Sequence, residues 1–255
     1  MILCIIIGLA ISILTLEPQA LLPSKEMLFI GMISGISTSI FVVSWLLCVK
    51  RSAYMLLEVF VMLGVLIPLI GSNFFFEEEI KLTQWLGMLL LLAAVMMMCS
   101  YNNSVKSKIT PSSLILLVVS GASCGIADFS QKCFMKLMPD ASPMVFNLYT
   151  YIFAALTLIV AYLFSVSKGV QTEKATIKKI VVPIAIMAIC LFMNSYFKTL
   201  AAKHLDAILL YPLNQGCALI LSSLMAVFLF KEKLSIKAIC GIVIAFIGLI
   251  VINLL

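Results

Sequence analysis

Residues Ala207 to Phe230 read AILLYPLNQGCALILSSLMAVFLF, a stretch that contains no charged side chain. A helix needs roughly 20 mainly apolar residues to cross the hydrocarbon core of a bilayer. Because lipid offers the backbone no hydrogen-bonding partners, such a stretch must satisfy its own backbone groups, which a helix does. The stretch therefore predicts a membrane-spanning helix, and the rest of the chain repeats the pattern.

The composition of the whole chain leads to the same conclusion. Of its 255 residues, 64% are hydrophobic and 11% are charged, and the mean hydropathy is +1.22. Soluble domains carry about 25% charged residues, so this chain could not cover a surface that faces water. We predict an all-α polytopic membrane helix bundle with no separate soluble domain.

Nine apolar stretches can be drawn along the chain, and each predicts a helix. Turn-forming and charged residues lie in the gaps, of which the longest, about 14 residues, is too short to fold alone. The first stretch lacks a basic n-region and an A-x-A-like site, so we predict a membrane helix there rather than a cleaved signal peptide. The stretches are Met1–Leu16, Met27–Val49, Ala53–Phe76, Leu82–Cys99, Ser112–Ser130, Met144–Ser165, Ile180–Phe197, Ala207–Phe230 and Ala238–Leu255.

An internal repeat relates two parts of the chain. The segment Phe74–Glu78 matches the segment Phe228–Glu232 at a separation of 154 residues. Further matches occur at the same separation, and helix boundaries coincide as well: Gly87 with Gly241, Ala53 with Ala207, and Leu56 with Leu210. Single identities between apolar stretches mean little, but their shared order predicts a duplicated structural unit.

The repeat predicts the domain organisation. A unit of five helices reverses the direction of insertion, so two such units lie antiparallel, as in many secondary transporters. We predict a first repeat over residues 1–109, with four helices from Met1–Leu16 to Leu82–Cys99. The second repeat covers residues 110–255, with five helices from Ser112–Ser130 to Ala238–Leu255.

The first repeat is one helix short, because nothing before Met1 matches Ser112–Ser130. Nine helices are then present and the first of ten is absent. Either the sequence is a truncated reading of a ten-helix protein, with a misplaced start codon, or the protein is a nine-helix variant. We favour truncation.

Several short motifs occur in an informative order: Phe129-Ser130-Gln131-Lys132, Lys203-His204-Leu205-Asp206-Ala207, Tyr211-Pro212-Leu213-Asn214-Gln215-Gly216, Phe230-Lys231-Glu232-Lys233-Leu234-Ser235, and Gly241. Together they resemble the EamA-like branch of the drug/metabolite transporter superfamily over essentially the whole chain. The resemblance implies ten helices in two inverted repeats and the transport of small metabolites, amino acids or drug-like compounds. The missing first helix departs from that pattern.

The segment Tyr211–Gln215 is the strongest candidate for a substrate site. Pro212 frees a backbone carbonyl group, and such breaks persist in membranes only against protein or a water-filled cavity. Two amides follow in the same turn. We predict these substrate contacts: Tyr211, Asn214, Gln215, Asn194 and Trp45. The alternative is that the polar groups only hold helices together.

Asp128 is a candidate for proton coupling. A charge at the centre of a bilayer costs roughly 2.5–3.5 kcal/mol on insertion scales, so it is rarely placed there without a role. Lys132 follows four residues later on the same predicted helix, where the two side chains can pair. Asp128 is therefore either a proton-titrating carboxylate or one half of a structural ion pair.

Small residues predict close helix contacts at Gly31-x-x-x-Gly35 and Gly121-x-x-x-Gly125. The second of these segments also matches G-x-S-x-G, but a nucleophile elbow requires a strand before the turn. The sequence contains no nucleotide-binding G-x-x-x-x-G-K-[ST] loop and no C-x-x-C pair. We predict no enzymatic activity, no cofactor and no metal site.

These features predict a secondary transporter or exporter of small organic metabolites, amino acids or drug-like solutes, working by alternating access. A lipid-carrier flippase and a non-transporting membrane assembly subunit are the alternatives. The expected partners are a small-molecule substrate, the lipid bilayer and coupled protons. Despite the +6 net charge we expect no nucleic acid, because the basic residues are scattered. We expect a monomer or homodimer in the plasma (inner) membrane of a bacterium.

The distribution of basic residues leaves the orientation open. The connections after the second, fourth, sixth and eighth stretches hold 11 Lys and Arg residues, and the opposite side holds 6. The positive-inside rule places the first set in the cytoplasm. The family resemblance implies the reverse.

Overall fold

A computed structural model describes residues 1–15, 22–51, 54–102, 111–167, 177–230 and 236–254. These residues form helices and short connections, with no strand among them. The helices are α1 (Ile2–Thr15), α2 (Lys25–Arg51), α3 (Tyr54–Gly64), α4 (Leu66–Phe76), α5 (Leu82–Asn102), α6 (Pro111–Leu137), α7 (Pro143–Ser167), α8 (Ile177–His204), α9 (Ala207–Phe230) and α10 (Ile236–Leu254). The predicted all-α helix bundle is confirmed.

Each predicted apolar stretch contains a helix, and one stretch is interrupted. The stretch predicted over 53–76 forms α3 and α4, which meet at Val65. Pro68 explains the interruption, since it has no N–H group to donate to the carbonyl of Gly64. Val65 instead donates to the carbonyl of Met62 at 3.1 Å, in a tighter turn.

Local signals fix several helix ends. The backbone N–H of Met27 donates to the Ser24 hydroxyl at 3.1 Å, which caps the start of α2. Helices α6 and α7 both begin with proline, whose missing N–H costs nothing in a first turn. At the end of α4, Glu77 adopts a left-handed conformation with φ of 53° and donates to the carbonyl of Ser72.

Four of the described helices are long and apolar enough to cross a membrane by themselves: Lys25–Cys48, Pro111–Leu137, Pro143–Phe164 and Val181–His204. Shorter apolar helices accompany them. Many large apolar side chains on these helices are exposed. A surface of this kind is stable only against hydrocarbon, so the protein is an integral membrane protein.

The chain forms two compact units, whose boundaries along the chain fall inside α2, inside α6 and between α8 and α9. Unit 1 contains Met1–Ser39 and Ser130–His204. Its helices α2 and α7 pack closely at Gly35, where an added methyl group would overlap the carbonyl oxygen of Thr150. Beside this contact the Ser39 hydroxyl donates to the carbonyl of Ala154 at 2.8 Å. The predicted packing role of Gly35 is confirmed.

Unit 2 contains Ile40–Phe129 and Leu205–Leu255. Here α3 and α6 approach so closely that a methyl group on Gly121 would overlap the carbonyl oxygen of Phe60, and one on Gly125 would overlap that of Gly64. The segment Gly121–Gly125 is therefore a helix-packing motif, as the sequence predicted. Helices α5 and α10 pack in the same way at Gly87 and Gly248.

Helices that the repeat relates to each other also pack together. Helix α1 contacts α7 within unit 1, whereas α5 contacts α10 and α3 and α4 contact α9 within unit 2. The antiparallel relation of residues 1–109 to residues 110–255 stays a prediction.

Glu78 connects two parts of unit 2. Its Oε2 accepts a hydrogen bond of 2.9 Å from the backbone N–H of Ala207, the first residue of α9. A carboxylate at this place pairs with a donor that the helix itself leaves unsatisfied, and with the positive end of the helix dipole.

We therefore expect Glu78→Ala to lower the free energy of unfolding by about 1 kcal/mol, the usual value of a helix cap. Thermal denaturation in detergent measures the change. Glu79→Ala is the matched control, because Glu79 is an exposed neighbour in the same connection. An equal loss in both variants would show that the α9 contact contributes nothing.

Candidate functional site

The predicted residues of α9 face α6 within unit 2. The Tyr211 hydroxyl donates to the backbone carbonyl of Asp128 at 2.7 Å. One turn later, Nε2 of Gln215 donates to Sγ of Cys124 at 3.7 Å. Tyr211 and Gln215 lie four residues apart and therefore share a face of the helix. The structure thus brings two predicted substrate contacts to successive turns of α6, at Asp128 and at Cys124.

Pro212 lies inside α9 without ending it. The helix runs unbroken from Ala207 to Phe230, and Pro212 is buried. Its missing N–H still leaves the carbonyl of Ile208 without its usual helical partner. Asn214 is half-buried and lies in the following turn.

The other two predicted contacts lie elsewhere. Trp45 on α2 is half-buried and packs against an apolar cluster that includes Cys124, the acceptor for Gln215. Asn194 on α8 is exposed. Asn194 belongs to unit 1, whereas Tyr211, Gln215 and Trp45 belong to unit 2.

Asp128 and Lys132 lie one turn apart on α6, and both are buried, at 2% and 1% exposed. Burying either charge alone in a membrane helix is costly. Their spacing allows each side chain to offset the charge of the other. Asp128 and Lys132 are the only charged side chains among the described buried residues.

A second polar cluster joins three helices of unit 1. Nε2 of Gln131 on α6 donates to the Ser195 hydroxyl on α8 at 3.2 Å. Ser195 donates to Oδ1 of Asn147 on α7 at 2.5 Å. Nδ2 of Asn147 donates to the Thr199 hydroxyl at 3.2 Å and to the carbonyl of Pro143 at 2.8 Å. These residues form the α6–α7–α8 network.

Two buried polar atoms in this region have no hydrogen-bond partner within the described part of the chain. They are Oε1 of Gln131, a residue that is 5% exposed, and Oγ1 of Thr150, which is 2% exposed. Thr150 lies three residues after Asn147 on α7, so the two share a helix face. A buried polar group without a partner costs about 1–3 kcal/mol, which a bound hydrogen-bonding ligand would offset.

An aromatic pair lies next to the network along the chain. The rings of Phe134 and Phe146 stack with centroids 4.1 Å apart, and both are fully buried. Phe134 is three residues beyond Gln131, and Phe146 directly precedes Asn147. The stacked rings therefore join α6 to α7 beside the hydrogen-bonding groups of the network.

The sequence prediction did not include Gln131, Asn147, Ser195 or Thr199 as site residues. One signal could have found them: Asn147 is an amide inside the apolar stretch 144–165, and an amide in hydrocarbon requires partners. The sequence could not show that those partners come from α6 and α8.

The EamA-like transporter family matches residues 111–254, more than half of the chain. The chain belongs to the EamA-like transporter family. The resemblance seen in the sequence motifs is thereby confirmed, and an EamA-family chain is a membrane transporter.

A solved structure shows the same fold. One crystal structure of a protein has a TM-score of 0.75, covers 99% of this EamA-family chain and 84% of its own chain, and is 16% identical in sequence. At that identity the likeness extends to the fold alone. No curated protein matches the sequence.

Proposed function

We propose that this EamA-family protein is a secondary transporter of small organic solutes such as metabolites, amino acids or drug-like compounds. It works by alternating access in the plasma (inner) membrane of a bacterium. The proposal rests on the α6–α7–α8 network. Two buried atoms, Oε1 of its member Gln131 and Oγ1 of Thr150 on the same face of α7 as Asn147, have no hydrogen-bond partner in the described residues. Because the chain belongs to a transporter family, a transported solute could donate hydrogen bonds to these two oxygen atoms.

The chemistry of the network defines the kind of solute. Amide and hydroxyl groups supply hydrogen bonds without net charge, and the stacked Phe134 and Phe146 rings supply apolar contact. This combination suits a small organic molecule with one polar end, such as an amine or a hydroxyl compound. The network is buried in the state that the structure shows, so the solute reaches it when the helices open.

The predicted α9 contacts Tyr211, Asn214 and Gln215 belong to the same proposal. Tyr211 and Gln215 bind groups on α6, so a movement of α9 would break both hydrogen bonds. We propose that these residues respond to or contact the solute during the cycle, and that Asp128 carries the coupled proton.

Counterflow of radiolabelled solute in proteoliposomes tests the proposal, because exchange requires no knowledge of the driving ion. We expect Thr150→Val to lower solute affinity about 10-fold, the value of one hydrogen bond. We also expect the empty protein to become slightly more stable, because an unsatisfied hydroxyl is removed. Thr157→Val is the matched control on α7, since the Thr157 hydroxyl already donates to the carbonyl of Phe153 at 2.8 Å.

Two results would contradict this function. One is the absence of counterflow for every water-soluble solute, combined with movement of labelled lipid between leaflets, which would favour the flippase alternative. The other is an equal loss of counterflow in Thr150→Val and Thr157→Val, which would assign Thr150 a merely structural role.

A further inference from the structure

Helix α1 has a small buried side chain in each of three successive turns, at Cys4, Gly8 and Ser12. The first two contact α8. Sγ of Cys4 donates to the carbonyl of Ala188 at 3.6 Å, and a methyl group added to Gly8 would meet the ring of Phe192 at 2.7 Å. Because both helices advance by four residues between these contacts, α1 and α8 run in the same direction.

The same face of α8 continues into the α6–α7–α8 network. Ser195 and Thr199 follow Phe192 by three and seven residues, a spacing that returns to one side of a helix. Ser12 follows Gly8 by one turn, about 6 Å along the axis of α1. Ser12 is 0% exposed, so its side chain faces protein and not lipid. Ser12 therefore lies level with the two network hydroxyls of α8.

The contacts of α1 with α7 give the same register. The added methyl group at Gly8 would also meet Cδ1 of Leu148 at 3.4 Å, and Leu148 directly follows Asn147. Met144, one turn before Leu148, packs against the same apolar cluster as Ile11. The turn of α1 after Gly8 thus reaches the turn of α7 that contains Asn147.

The Ser12 hydroxyl has no hydrogen-bond partner within the described residues. The hydroxyl hydrogens of the network on α8 are already used, since Ser195 donates to Asn147 and Thr199 donates to the carbonyl of Ser195. Neither of them can therefore donate to Ser12. A buried hydroxyl in this position favours a ligand that supplies the missing hydrogen bond.

The charges of unit 1 indicate which kind of solute fits. Lys132 is the only charged side chain among the described buried residues of this unit, and the described acidic residues, Glu26 and Asp140, are exposed. A cationic solute would therefore be buried without a carboxylate, which is costly. Asp128, one turn from Lys132 on α6, can offset the charge of Lys132, so an anionic solute has no spare cation either.

We propose that Ser12 brings α1 into the solute site, and that this site binds a neutral solute with several hydroxyl groups. The unpaired oxygen atoms of Ser12, Gln131 and Thr150 lie on three helices, so each can bind a different hydroxyl of one solute. The inference rests on the proposed transport function and narrows its solutes to neutral polyols.

Thiol labelling in proteoliposomes tests the site. The eight cysteines are replaced by alanine, and Ser12→Cys is labelled with the small neutral reagent 2-hydroxyethyl methanethiosulfonate. Ser39→Cys is the matched control. Ser39 is equally buried, at 1% exposed, but its hydroxyl already bonds to the carbonyls of Gly35 and Ala154 where α2 packs on α7.

We expect Ser12→Cys to be labelled many times faster than Ser39→Cys, because a solute site opens during the transport cycle and a helix contact stays closed. Xylitol, a neutral polyol, should slow the labelling of Ser12→Cys several-fold. Ethanolamine, which is cationic at neutral pH, should leave that rate unchanged at the same concentration.

Labelling of Ser12→Cys as slow as that of Ser39→Cys would overturn the proposal and assign the Ser12 hydroxyl to a buried water molecule. Equal protection by ethanolamine would overturn the solute class. Counterflow of radiolabelled xylitol is measured with the unmodified protein. Protection without counterflow would contradict the transport function and support the binding site.

Thermal denaturation gives a second reading that needs no cysteine-free variant. Ser12→Ala removes a hydroxyl without a partner, so its melting temperature in detergent should equal or exceed that of the unmodified protein. Ser39→Ala loses two hydrogen bonds and should melt at a lower temperature. An equal decrease in both variants would overturn the proposal, because the Ser12 hydroxyl would then have a partner within the protein.

Discussion

Asp128→Asn is expected to reduce transport driven by a pH gradient to background while solute counterflow continues. Asp128 is 2% exposed. The backbone carbonyl of the same residue accepts a hydrogen bond from the Tyr211 hydroxyl of α9, so the carboxylate lies beside the contact between α6 and α9. Asparagine keeps the shape of the side chain but cannot release a proton. Exchange of solute moves no net proton and should therefore persist.

The control for this prediction is Asp140→Asn. Asp140 is an exposed carboxylate in the connection between α6 and α7, so its neutral variant should transport at the normal rate in both assays. Unchanged gradient-driven flux in Asp128→Asn would leave Asp128 without a role in coupling.

A double variant separates a role of Asp128 in proton coupling from a role in a structural ion pair. Removing one charge of a buried pair costs roughly 3–5 kcal/mol, because the other charge stays buried and unpaired, whereas removing both charges leaves none unpaired. If Asp128 acts only in an ion pair with Lys132, then Asp128→Asn combined with Lys132→Met should restore both stability and gradient-driven flux. We expect the double variant to restore stability alone.

The second large effect is expected at the glycine motif of α2. An added methyl group at Gly35 would meet the carbonyl oxygen of Thr150 at 2.5 Å and the Cβ of Phe153 at 2.7 Å. At Gly31, one turn earlier, its nearest neighbour is the Cβ of Tyr149 at 3.8 Å, an ordinary contact. We therefore expect the same substitution to have different effects on stability at the two glycines.

We expect Gly35→Ala to lower the free energy of unfolding by about 1–3 kcal/mol, because α2 and α7 must separate to admit the methyl group. Gly31→Ala should leave stability unchanged or raise it by up to about 1 kcal/mol, the helix-propensity gain of alanine over glycine. Thermal unfolding of both variants in the same detergent checks the difference. Similar values for Gly31→Ala and Gly35→Ala would refute the close contact at Gly35.

The same reasoning applies to α6 in unit 2. Gly121→Ala should resemble Gly35→Ala, since its methyl group would overlap the carbonyl oxygen of Phe60. In both motifs the obstacle is a backbone atom, which cannot rotate away as a side chain can. The destabilisation should therefore remain when neighbouring side chains are shortened.

Sequence reasoning was most successful where a single physical requirement decides the outcome. A long apolar stretch must be helical in lipid, and every predicted stretch contains a helix. The close contacts at Gly35, Gly121 and Gly125 were predicted because only small residues permit close helix contacts, whereas the predicted contact at Gly31 is an ordinary one. The interruption at Val65 shows the limit of this reasoning, because Pro68 and Pro212 look alike in the sequence but only the former interrupts its helix.

The site required more than local reasoning. Tyr211, Gln215 and Asp128 were selected as polar residues in apolar stretches. The structure brings Tyr211 to Asp128 and Gln215 to Cys124, one turn earlier on α6. Asn194 was selected by the same rule and is exposed, whereas its neighbour Ser195 joins the α6–α7–α8 network. One residue turns a helical side chain by about 100°, so the choice between them depends on the direction from which α7 packs.

The sequence by itself determined that this protein is an all-helical membrane protein of the EamA-like transporter family, because hydropathy and short motifs are local properties of the chain. Only the tertiary structure decided which polar groups meet. Gln131, Asn147, Ser195 and Thr199 lie on three helices, and their hydrogen bonds depend on the rotation and depth of each helix. Those two quantities are set by packing between distant segments, through contacts such as Gly35 on Thr150, and no single stretch of sequence contains them.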